Sequence, residues 1–111
     1  MTIYFAESPS FIKSPSPVEV AVGKDTSLHC EMYGTPPFQV TWYKDKRPLK
    51  ENKKYKLVSV GSSATLHLLK LEQDDAGLYE CRVSNDVGSE FCRTTIILKG
   101  LYRISGHFLK T

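Results

Sequence analysis

The sequence predicts an all-β sandwich, two antiparallel sheets packed face to face with Greek-key connections, and three observations predict it. Turn-forming clusters recur about every eight to twelve residues, and the runs between them alternate apolar and polar side chains with period two. No segment sustains the period of an amphipathic helix. Finally, Cys30, Trp42 and Cys81 stand in an order and approximate spacing that lets one indole pack against a cysteine pair joining two sheets.

A chain of 111 residues with a hydrophobic share of 41% is the size of one domain with one packed core. Residues 8–99 are expected to fold as that domain. Residues 1–7 read as an N-terminal extension or linker, and residues 100–111 as a C-terminal extension, linker or expression-derived tail.

The elements follow in order. After Pro9, Pro15 and Pro17, the side chains of Val18, Val20 and Val22 share one face, and Gly23-Lys24-Asp25 turns the chain. The next strand starts at Thr26 and buries Leu28, Cys30 and Met32. Gly34-Thr35-Pro36-Pro37 ends it, because proline has no N–H to give a ladder. Val40 and Trp42 then point inward. Arg47-Pro48 and a basic stretch cross an edge to Tyr55–Val60, where β-branched and aromatic residues resume. Gly61-Ser62 turns the chain back, and Ala64, Leu66 and Leu68 face inward. Leu71 closes a corner before the acidic turn Glu72–Asp75. Tyr79, Cys81 and Val83 alternate inward, Asn85-Asp86-Val87-Gly88 makes a hairpin loop, and the last strand runs from about Ser89 to Leu98. With the short leading strands taken as one, this gives about seven strands.

Around the second cysteine, Asp75-Ala76-Gly77-Leu78-Tyr79-Glu80-Cys81 spells D-x-G-x-Y-x-C. A tyrosine two residues before the cysteine is a tyrosine corner, whose ring fills the core while its hydroxyl bonds to upstream backbone. Asp75 reads as the structural acid of that corner, and Gly77 leaves space at it. Together with Cys30, Trp42 and Leu66, these residues define the structural core of an immunoglobulin-like β-sandwich.

Cys92 is the odd cysteine. Centring the last hairpin between Asp86 and Val87 puts it directly across from Cys81 on the buried face. Three readings of Cys30, Cys81 and Cys92 follow: three small buried hydrophobes kept reduced by the cytosol, a disulfide bridge, or three cysteines that exchange partners. Burial is expected to hold Cys92 protonated until the sheets separate.

Seven of the 15 basic residues fall in one stretch (Lys44, Lys46, Arg47, Lys50, Lys53, Lys54 and Lys56), against only Asp45 and Glu51. This stretch reads either as a solvated loop and edge strand, where lysines deter sheet pairing, or as a docking patch for an acidic partner.

The net charge of +3 does not argue for nucleic acid, and no apolar run approaches the roughly 20 residues of a membrane span. Residues 1–10 lack a basic start followed by an apolar run, and neither Asn52 nor Asn85 sits in an N-glycosylation acceptor, so a cytoplasmic setting is expected. No catalytic, cofactor or metal site is expected. His29 and His67 fall out of phase with the buried positions, His107 lies in the tail, and Asp74-Asp75 are neighbours in a turn that do not face a common substrate.

Over about residues 8–99 the sequence resembles the I-set immunoglobulin domains of titin, a giant sarcomeric muscle protein. The resemblance runs through Pro9-Ser10-Phe11-Ile12, Pro17-Val18-Glu19-Val20, Gly23-Lys24-Asp25, Gly34-Thr35-Pro36-Pro37-Phe38, Lys53-Lys54-Tyr55-Lys56, Ala64-Thr65-Leu66 and Val83-Ser84-Asn85-Asp86-Val87-Gly88. Residues 1–7 and 101–111 do not match. The resemblance implies a structural and mechanical module of the sarcomere, a spacer and elastic link with neighbouring immunoglobulin domains of the same chain and other sarcomeric proteins as partners. It also implies that the three cysteines permit disulfide isomerisation. The competing class is a ligand-binding domain of an adhesion or receptor protein, which would carry an oxidised Cys30–Cys81 bond.

Overall fold

The computed structural model describes residues 5–99, together with the backbone of 101–104 and 107–110. Nine strands make two sheets. Strands β1 (Ser10–Lys13), β3 (Thr26–Tyr33), β7 (Ser63–Leu68) and β6 (Tyr55–Val60) form a four-stranded antiparallel sheet in the order β1-β3-β7-β6. Strands β2 (Val18–Ala21), β9 (Ser89–Lys99), β8 (Gly77–Ser84), β4 (Gln39–Lys44) and the two-residue β5 (Arg47–Pro48) form the second, in the order β2-β9-β8-β4-β5. One 3-10 turn, Gln73–Asp75, lies between β7 and β8. Backbone strands β10 (Leu101–Ile104) and β11 (His107–Lys110) pair as an antiparallel ribbon within the segment expected to be a tail.

Three expectations need correction. The leading strands are not one element, and the second sheet is not wholly antiparallel. Ser14 to Pro17, with prolines at 15 and 17, interrupts the ladder, so β1 pairs with β3 in one sheet while β2 crosses to the other. There β2 runs parallel to β9, with Val18 opposite Ile96 and Ala21 opposite Lys99. Proline lacks the N–H a continuous strand would donate, so the chain changes sheets where prolines break it. The third correction is Val22. It falls beyond β2 in the turn and is exposed, while Val18 and Val20 pack on the core.

The inner faces meet as the alternation predicts. Leu28, Cys30 and Met32 of β3 and Ala64, Leu66 and Leu68 of β7 face Trp42 of β4, Tyr79, Cys81 and Val83 of β8, and Cys92 and Ile96 of β9. Each large apolar side chain so enclosed stabilises the fold by about 1.5–3 kcal/mol relative to exposure. Leu71 seals the end of the core at the corner before the 3-10 turn.

Candidate functional site: the cysteine triad and the tyrosine corner

Two assemblies meet on β8, and both begin from register. Trp42 stands opposite Cys81 on one side, and Cys92 stands opposite Cys81 on the other. The row Trp42, Cys81, Cys92 therefore crosses three neighbouring strands, with the hairpin register expected from its centre. Cys30 reaches the row from the facing sheet, and its Sγ lies 3.6 Å from that of Cys81. That is a contact between thiols, well beyond the roughly 2.05 Å of a disulfide. All three Sγ atoms lie within 4.8 Å of one another. Cys30 and Cys81 are wholly enclosed, and Cys92 is 8% exposed.

This proximity changes the acid–base character of the cluster. Burial alone would hold Cys92 protonated, as expected from the sequence. In the folded chain, hydrogen bonds from Cys30 and Cys81 act on its sulfur, with smaller help from the Cys81 backbone and Ser14, and hold Cys92 well below the usual thiol range despite burial. Cys81 moves the other way, pushed up by its hydrogen bonds with Cys30 and Cys92 and by burial. For Cys30 the bond with Cys81 works downward, but the bond with Cys92 and burial prevail and push it up to about 12.

The tyrosine corner is built from β8 and the turn before it. The Tyr79 hydroxyl donates to the backbone carbonyl of Asp75 at 2.6 Å, and its ring is fully enclosed. Burial, with the nearby Tyr55, Asp75 and Asp45, pushes the phenol above its ordinary value. The Asp75 carboxylate, itself buried, accepts from the Glu72 backbone N–H at 2.7 Å and from Lys54 Nζ at 2.7 Å. Gly77 has φ +138°, a conformation that side chains rarely adopt, and a Cβ there would meet Asp45 Oδ1 at 3.1 Å. Asp45 Oδ1 accepts the Leu78 N–H at 3.3 Å, which explains why that carboxylate crowds the glycine.

The basic stretch divides. Lys46, Arg47, Lys50, Lys53 and Lys56 are exposed. Lys44 and Lys54 do not belong with them, which corrects the reading of all seven as one surface patch. Lys44 pairs with Asp45 and lies 5.8 Å from the centre of the Tyr79 ring. Lys54 donates to Asp75, to the Lys70 carbonyl at 3.0 Å and to Glu72 at 3.4 Å. Burial alone would lower its pKa, but the Asp75 and Glu72 carboxylates hold the ammonium above its usual range.

Three features escaped the sequence reading. Buried Glu80 lies opposite Arg93 and accepts from Arg93 Nε at 2.7 Å; the register that places Cys92 across from Cys81 would have placed this pair too. On the other sheet, His29 bonds Thr65 Oγ1 at 2.8 Å and Glu31 Oε2 at 3.0 Å, so its outward-facing ring is tethered. Asn85 donates to the carbonyls of Glu7, at 2.6 Å, and Thr35, at 2.9 Å, tying the hairpin loop to the segment ahead of β1 and to the loop after β3. Nothing local in the sequence links Asn85 to Glu7.

A two-sheet sandwich with a cysteine–tryptophan–cysteine core and a tyrosine corner defines an immunoglobulin domain. The chain belongs to the immunoglobulin I-set family, whose model, the Immunoglobulin I-set domain, matches residues 9–98. Among solved structures, a three-immunoglobulin fragment of titin carrying an E-to-A mutation is 50% identical, with a TM-score of 0.80 over 85% of this chain and 33% of the fragment. Hemicentin-1 of Mus musculus is 39% identical over 77 residues, which is 69% of this chain and 1% of that protein. A vascular endothelial growth factor receptor kdr-like protein of Danio rerio is 34% identical over 100 residues, 90% of this chain and 8% of the receptor. The chain thus spans a small fraction of these curated relatives. The family is one of structural and binding modules.

Proposed function

We propose that this domain is a load-bearing link of a tandem immunoglobulin chain of the titin type, a spacer and elastic element in the cytoplasm of striated muscle. Its partners on this reading are the immunoglobulin domains before and after it and other sarcomeric proteins. The observation that carries the reading is the parallel pairing of β2 with β9. Because the two strands run the same way, the chain enters at one end of the pair and leaves at the other. Tension between the ends therefore pulls the strands past one another and loads their hydrogen bonds together, which resists more than peeling them one by one. The 50% identity to a titin fragment supports the same reading.

Single-molecule pulling of a tandem polyprotein of this domain tests it. Neighbouring residues of β2 turn their N–H groups to opposite sides, so one of Glu19→Pro and Val20→Pro removes a bond of the ladder and is expected to lower the unfolding force sharply. An unchanged force in both variants would overturn the load-bearing role of the pair.

The similarity to hemicentin-1 and to a receptor favours a second reading, a ligand-binding domain of an adhesion or receptor protein. Alkylating the protein rapidly as it is isolated from its source separates the two. Free thiols at Cys30 and Cys81 fit the cytoplasmic link, and an oxidised pair fits the receptor class.

A further inference from the structure

We propose that Cys30, Cys81 and Cys92 form a binding site for one copper(I) ion inside the sandwich. The three sulfurs come from both sheets, β3 on one side and β8 and β9 on the other, and all lie within 4.8 Å of one another with one edge at 3.6 Å. A triangle with sides in that range has its centre about 2.1–2.8 Å from each corner, a span that brackets the ~2.3 Å of a metal–thiolate bond. Little backbone movement is needed to bring an ion into contact with all three.

The donor set selects the ion. Three sulfurs among hydrocarbon side chains suit a soft cation and offer nothing to magnesium or calcium, which take oxygen. Zinc in structural sites takes four ligands, whereas this cluster supplies three among the described residues. Copper(I) is soft, has no need of a fourth donor, and fits a three-sulfur site. When Cu⁺ binds, S–Cu bonds form to the three sulfurs, those that bind as thiolates give up their protons to solvent, and copper stays in the +1 state, so nothing is oxidised. Cys92, 8% exposed beside two enclosed cysteines, marks the side from which the ion enters.

The test uses the reduced 111-residue chain without oxygen. Copper(I) held by bicinchoninate is titrated in, and both loss of the coloured chelate and Trp42 fluorescence are followed. Trp42 is the one tryptophan and stands opposite Cys81, so ion binding in the core is expected to quench it. The expected result is one equivalent bound, quenching that saturates at the same point, and a rise in the urea midpoint. Cys92→Ala is expected to weaken binding at least tenfold. Cys92→Ser, which keeps the volume but replaces the soft donor, should do the same while circular dichroism shows the sandwich intact. Failure to take copper from the chelate overturns the proposal. So does binding that leaves Trp42 unquenched or survives both substitutions, since the ion then sits elsewhere. Equal affinity for zinc overturns the assignment of the ion.

Discussion

Lys54 Nζ lies 2.7 Å from Oδ2 of Asp75 and joins the segment before β6 to the corner before β8. The aspartate is nearly enclosed, so this ammonium is its charge partner and is not one lysine among many on a solvated stretch. Lys54→Met leaves a buried carboxylate with only the Glu72 N–H, and is expected to cost about 1.5–3 kcal/mol. Reversing the exposed Lys50 and Lys53 together should change stability by less than about 0.5 kcal/mol. Denaturant midpoints of the three proteins check this; equal midpoints for Lys54→Met and wild type would show that the bridge contributes nothing.

Trp42 is expected to be the largest single packing contribution. Its indole is 1% exposed, and Trp42→Ala should cost about 3–5 kcal/mol, enough to leave a domain of ordinary stability largely unfolded. Tyr79→Phe removes only the hydroxyl that bonds Asp75, with an expected loss of about 1 kcal/mol. A loss below about 1 kcal/mol for the tryptophan variant in urea titrations would displace Trp42 from the centre of the core.

Alkaline pH should unfold the domain, with Tyr79 and Lys54 adding to the raised thiols of Cys30 and Cys81. Both have folded pKa values raised above their ordinary ones, Tyr79 by burial and Lys54 by its carboxylates against the effect of burial. The folded chain therefore keeps protons that the unfolded chain releases above about pH 10. Their stabilisation is fully present below that pH and is lost as pH rises, at up to about 1.4 kcal/mol per pH unit for each proton retained. Cys30 and Cys81, also raised, begin this loss near pH 9, so urea midpoints should fall from there to pH 11, with a shallower fall above about pH 10 in Tyr79→Phe. An equally steep fall in that variant would remove the phenol from the account.

Under oxidising conditions the triad should set how far the domain extends. A Cys30–Cys81 bond excludes the chain between them from force, about 17 nm of contour at roughly 3.4 Å per residue, while a Cys81–Cys92 bond excludes about 3–4 nm. The sulfurs are close enough for either pairing. Repeated pulling of single oxidised molecules is expected to show short unfolding steps converting to steps more than about 10 nm longer as Cys92 attacks the older bond. Persistence of the short step in every cycle, or conversion that is undiminished in Cys92→Ala, would exclude the exchange.

The sandwich was legible in the sequence because its causes are local. Period two at Leu28, Cys30 and Met32, and at Tyr79, Cys81 and Val83, decides which side chains a strand buries, and turn chemistry decides where strands end. Even the facing of Cys81 and Cys92 followed from counting outward from a hairpin loop. Pairings between distant segments are a different matter, since no local pattern records them. Only the tertiary structure decided that β2 lies parallel to β9, that Cys30 meets the other two sulfurs across the sheets, and that Lys54 leaves its basic neighbours for Asp75. A lysine's sequence gives its charge, but whether water or a buried carboxylate receives that charge depends on what the fold brings beside it.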